Sequence, residues 1–240
     1  MFLRRLLAAT LAATTLLTLV PSSGASSFGS SRPAVDFSLQ APDTAPAGPG
    51  VNQGDRVRIS QATAPQGITI GAKCTVGYID HAHHRAWIAS HCGDDGATVS
   101  NSNGKRIGTF RWANGNRYAG TRVLEGASRD IAYIELEPEV RAGENRYSGD
   151  TVITALDQVA DGAEGCVFGQ TTRRVSCGTV SNSSGFYGFT NLSRVNGAEV
   201  TYGDSGGPVW VPGQGLLGVL SEMYSPGQPG NYIIATQPPR

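Results

Sequence analysis

Beyond about residue 65 the chain alternates short apolar runs with clusters of turn-forming residues, the pattern of many short strands. In "DIAYIELE" Ala132, Ile134 and Leu136 fall on one side and Tyr133 and Glu135 on the other, the period of a half-buried strand. "CTVGYID" and "RAWIASHC" flank "HAHH" and predict a hairpin whose second strand delivers His91 at its far end. "NSNGKRIGTF" carries Asn103-Gly104, a pair suited to a tight hairpin turn because both residues tolerate positive φ. Further strands are expected in "TVITALDQV", "GCVFGQTTRRVSCGTV", "PVWVPGQGLLGVLS" and "NYIIATQ". About a dozen short strands at this spacing predict an all-β sandwich or barrel. No stretch carries a helical stripe, and no repeat with a period of about 20 to 50 residues is visible.

The pattern is different before residue 65. Arg4 and Arg5 lead an apolar run from Leu6 to Val20, followed by small residues through Ala25, which reads as a signal peptide over residues 1–25. The run is short for a membrane span, and no second apolar stretch is long enough to cross a bilayer. Residues 26–64, rich in Ser, Ala, Pro and Gly, show no sustained period and are expected to be a flexible pro-region or linker. The folded domain is then expected over residues 65–240.

Composition sharpens this picture. Lys and Arg total 19 and Asp and Glu total 19, so neither a nucleic-acid footprint nor a polybasic membrane patch is expected. A soluble, exported monomer acting on a protein or peptide fits better. Glycine is abundant at 32 residues, which favours strands joined by turns. Four cysteines in an exported chain, with no C-x-x-C pair to hold zinc, predict two disulfides. Of three possible pairings, Cys74 with Cys92 and Cys166 with Cys177 is preferred, because each couple brackets one local strand pair.

The chemistry centres on "TYGDSGGPVW", where Ser205 lies among Gly203, Gly206 and Gly207. Such a run suits a tight loop, but it also exposes a hydroxyl with backbone N–H groups beside it. Ser205 is the candidate nucleophile, and the N–H groups of Gly203 and Ser205 are candidate donors to a developing oxyanion. "PVWV" after the serine reads as strand, which excludes the strand-to-helix elbow of an α/β-hydrolase. His81, His83 and His84 crowd a hairpin tip and read as a solvated turn, with no metal assigned. His91 ends an apolar strand beside a cysteine and is the candidate base. Asp130, at the entrance of the "DIAYIELE" strand, could orient it, whereas Asp94 and Asp95 follow His91 too closely in a turn.

"ASHC", "RDIAYIEL" and "GDSGGPVW", in the order His, Asp, Ser, resemble the chymotrypsin-like serine peptidases, above all the compact secreted bacterial branch that includes the streptogrisins and α-lytic protease. The resemblance runs from about residue 65 to the end and implies two antiparallel six-stranded β-barrels of the trypsin-like type, with the active site between them. It implies a triad of His91, Asp130 and Ser205, a crossover near residues 140–150, and no metal or organic cofactor. Ser221 matches the serine that supports the triad aspartate and opens the strand along which substrate backbone pairs. Counting back from Ser205 reaches Glu199, whose carboxylate at a pocket floor would favour Arg or Lys in the substrate. Met223 stands where a glycine often admits large side chains, and its bulk implies a shallower pocket. The two substrate-binding signals conflict, and Glu199 reads equally as a solvated loop acid, since unpaired carboxylates are usually exposed. A secreted serine endopeptidase is the leading reading, and a protease-like binding protein without turnover is the alternative.

Overall fold

A computed structural model describes residues 50–60, 71–113, 126–181 and 188–239. The expected signal peptide at 1–25 and the linker as far as residue 49 lie outside the described residues. No helix among the described residues is long and apolar enough to cross a membrane.

Among the described residues fifteen strands follow in chain order. They are β1 Gly50–Val51, β2 Arg56–Ser60, β3 Gly71–Thr75, β4 Tyr78–Asp80, β5 Arg85–Ile88, β6 Thr98–Asn101, β7 Arg106–Trp112, β8 Ala132–Leu136, β9 Arg141–Ala142, β10 Glu164–Phe168, β11 Val175–Ser181, β12 Leu192–Asn196, β13 Pro208–Val211, β14 Gly215–Tyr224 and β15 Tyr232–Thr236. The all-β, two-barrel expectation holds. The second unit is a closed six-stranded barrel in the order β10-β11-β12-β15-β14-β13. The first is a seven-stranded sheet in the order β3-β2-β6-β7-β8-β5-β4, whose end strands are not paired to each other.

Alternation decides which side chains enter each core. Val57 and Ile59 of β2 and Ala132, Ile134 and Leu136 of β8 turn inward with Phe110, and form the first core. Val167, Val180, Val195, Val209, Leu217 and Ile233 form the second. Both expected disulfides are present. Cys166 and Cys177 stand directly opposite each other on β10 and β11, and Cys92 reaches across to Cys74 at 6.2 Å between Cα atoms.

The N-terminal boundary of the domain needs correction. Residues 50–60, assigned to the linker from sequence, form β1 and β2, and β2 is an interior strand between β3 and β6. Val51, Val57 and Ile59 are almost fully buried. The Gln53 side chain, also buried, donates to the Gly77 carbonyl (2.9 Å) and the Ser148 hydroxyl (2.7 Å) and accepts from the N–H groups of Tyr147 and Ser148. It thereby fastens the segment to the crossover near residues 140–150. Every polar atom of that side chain is satisfied, as burial requires.

Candidate active site

His91 owes its position to strand pairing. β5 is held between β4 and β8, and its register with β8 sets Ile88 opposite Ala132. Continued past the ladder's end, that register puts Ser90 opposite Asp130. The chain there forms a short 3-10 turn over Ser90–Cys92, anchored on one side by the Cys74–Cys92 disulfide.

Asp130 is fully buried and its two oxygens take four hydrogen bonds. Oδ1 accepts from the Ser90 hydroxyl (3.0 Å) and the His91 backbone N–H (2.9 Å). Oδ2 accepts from His91 Nδ1 (2.7 Å) and from the Ser221 hydroxyl (2.6 Å). Ionic acceptors of this kind make short, strong hydrogen bonds. Because a carboxylate can only accept, Nδ1 carries the ring proton, and in the neutral ring Nε2 keeps a lone pair. Burial by itself lowers the proton affinity of His91, but the hydrogen bond and charge of Asp130, with the charge of Glu222, outweigh it and raise the ring above its usual 6.5.

The loop carrying Ser205 is pinned from both barrels. The Ser205 carbonyl accepts from Thr75 N–H at the end of β3 (2.9 Å), and Gly206 N–H donates to the Leu220 carbonyl on β14 (2.8 Å). Gly206 has φ +82°, and a Cβ there would meet Ile88 Cγ1 at 2.5 Å and the Thr75 carbonyl at 2.6 Å, so neither conformation nor space admits a side chain. Asp204, fully buried, holds the loop from beneath: it accepts from the N–H groups of Thr171 (2.8 Å), Thr172 (3.1 Å) and Thr201 (2.9 Å). The N–H groups of Gly203 and Ser205 have no acceptor among the described residues.

His91 and Ser205 line one cleft of about 500 Å³ together with Ser221 and Met223. Val200, Leu220 and Tyr202 supply apolar walls, and Tyr202 is 84% exposed at the rim. Glu199 is not among the lining residues. Ala198 and Val200 turn into the core, the residue between them faces out, and the Glu199 carboxylate pairs with Arg174 on the surface. Of the two readings of Glu199, the acid at the pocket floor is therefore corrected, and the surface acid fits these contacts. His83 at the hairpin tip pairs with Asp80, which also holds Arg85. Among the described residues one cluster has potential metal ligands, Glu164 with Cys166 and Cys177, and its sulfurs are bonded to each other. The sequence did not single out Ser90, Asp204 or Glu222. Ser90 and Asp204 stood in the quoted motifs, but Glu222 lies in a strand with no local mark.

No family model matches the chain. The uncharacterized protein Rv1815 of Mycobacterium tuberculosis is 31% identical over 157 residues, spanning 63% of this chain and 68% of the relative. Among solved structures, the chymotrypsin of Cellulomonas bogoriensis superposes with a TM-score of 0.53 at 23% identity, over 78% of this chain and 91% of that one. Protease A of Thermobifida fusca gives 0.51 at 23% identity over the same shares. The Nocardiopsis protease gives 0.52 at 20% identity, covering 78% of this chain and 92% of that one. These likenesses show the chymotrypsin-like fold.

Proposed function

We propose, from the premise that the chain belongs to the same family as the mycobacterial protein Rv1815 and has the chymotrypsin-like fold of bacterial serine proteases, that it is a secreted serine endopeptidase. The observation that carries this reading is the buried Asp130 carboxylate, bonded to His91 Nδ1 at 2.7 Å beside a cleft that Ser205 also lines. Export rests on the N-terminal apolar run with its two leading arginines.

In this mechanism Ser205 Oγ attacks the scissile carbonyl while His91 Nε2 takes its proton. The negative charge that develops on the carbonyl oxygen is met by the N–H groups of Gly203 and Ser205. His91 then hands the proton to the leaving amine, and water, activated by the same ring, releases the acyl group from Ser205. Asp130 fixes the ring and stabilises its charged form. Ser221, which lies within β14 at a register shift and does not open a strand, fills the remaining lone pair of Asp130 Oδ2, and the part of β14 that follows it pairs with the acyl side of the peptide. With Val200, Leu220 and Met223 as walls and Glu199 turned away, the cleft suits an apolar substrate side chain before the scissile bond, and the acid that does line it, Glu222, accepts from the Tyr224 hydroxyl.

Labelling of the folded protein with a fluorophosphonate tests this. Modification is expected at Ser205 and is expected to fall by about 10³-fold or more in rate in His91→Ala. Correctly folded protein that takes no label supports instead a protease-like binding protein.

A further inference from the structure

The face where β2 and β3 turn outward carries an unexplained electrostatic cost. Arg58 and Lys73 are direct cross-strand partners, both exposed, so two like charges stand side by side. Such pairs are destabilising unless something compensates them. Neither has a carboxylate partner among the described residues. The connection from β2 to β3, "QATAPQGITI", contains no charged residue at all. Arg58 and Lys73 line a groove of about 460 Å³ with Ser60, Thr98, Ser100 and Gly104, and no acid among the described residues lines it.

This groove is joined to the active-site cleft. Lys73 lines both. Its carbonyl lies 3.8 Å from where a Cβ on Gly203 would stand, next to the loop that holds Ser205. Ser205 sits between two strands, bonded through its carbonyl to Thr75 after Lys73 and through Gly206 to Leu220 on β14. β14 takes the acyl side of a substrate, so the residues that follow the scissile bond leave past Lys73.

We propose that Arg58 and Lys73 form a subsite for acidic side chains on the leaving-group side of the substrate, two or three residues after the scissile bond. The inference rests on the proteolytic reading for its direction along the substrate. A carboxylate placed there offsets the repulsion between the two cations, and rim charges of this kind act mainly on encounter and selectivity.

Two measurements test it and separate its failure from that of the proteolytic reading. In the first, fluorescein-labelled peptides with one fixed apolar acyl side and Glu, Ala or Lys in those positions bind to the Ser205→Ala protein. In the second, the same peptides are cleaved by the unaltered protein. The Glu peptide is expected to exceed the Lys peptide by about tenfold in affinity and in kcat/KM, with Ala between them. The double variant Arg58→Glu, Lys73→Glu inverts that ratio, while Arg111→Gln, whose arginine pairs with Glu135 elsewhere, leaves it in place. Equal binding of all three peptides, or a ratio untouched by the double variant, overturns the subsite. Heparin bound through Arg58 and Lys73 with no preference for the Glu peptide also overturns it. Selective binding of the Glu peptide without fluorophosphonate labelling sustains the subsite and removes the protease.

Discussion

His91 is drawn in opposite directions by its surroundings, and the balance is testable. Burial favours the neutral ring, while the hydrogen bond and charge of Asp130, with the charge of Glu222, favour the protonated one and win. The base of the proposed mechanism is the neutral ring, so activity is lost as pH falls through a value raised above the usual 6.5. Glu222→Gln removes one of the raising charges, and the acid limb of kcat/KM is expected to move to lower pH. A limb that stays in place or moves upward contradicts this. For stability the sign is opposite to that of an acid: the contribution of His91 is complete below its unfolded value and is lost as pH rises through the raised folded value. His91, Asp130 and Ser205 were legible as candidates because their three motifs occur together in one order, although each alone also fits a structural role. Glu222 was not, since only the fold brings its strand beside His91.

At the scale of one element, the loop from Thr201 to Gly207 is held from beneath by one buried carboxylate, in addition to its backbone bonds to Thr75 and Leu220. Asp204 Oδ1 accepts two backbone N–H groups and Oδ2 a third. Asp204→Asn has nearly the same shape but replaces one acceptor oxygen with a donor, so in either amide orientation at least one N–H loses its partner. A buried donor left unsatisfied costs about 2 kcal/mol. The variant is expected to unfold at lower urea and to label more slowly with fluorophosphonate, because Gly203 and Ser205 share the loop. An unchanged midpoint and labelling rate would show that the bonds to Thr75 and Leu220 hold the loop without Asp204. Alternation made β8 readable, apolar runs between turn residues made β5 and β14 readable, and a cross-strand bracket made both disulfides readable. Counting backward to Glu199 failed for a physical reason. The distance in sequence does not fix which way a side chain faces, and the burial of Ala198 and Val200 turns Glu199 outward.

For the molecule as a whole, the boundary of the fold was hidden by its neighbourhood. "RVRIS" is five residues long and follows a Pro- and Gly-rich stretch, so its alternation carries little weight until β3 and β6 are seen on either side of it. Those neighbours give β2 a disproportionate role. Burying Val57 and Ile59 contributes about 4 kcal/mol, on the order of the net stability of a small domain. β3, which carries Cys74 and through it holds Cys92 beside His91, pairs with β2 and with no other strand. Gln53 adds the tie to the crossover segment. A chain starting at residue 50 is therefore expected to unfold in one cooperative transition and to react at Ser205. A chain starting at residue 65 is expected to show neither, although every member of the proposed triad is present. Urea unfolding and fluorophosphonate labelling of the two chains side by side decide it. Native-like cooperativity in the shorter chain would mean that the first sheet closes without β2, and that the site is held by the β5–β8 register alone.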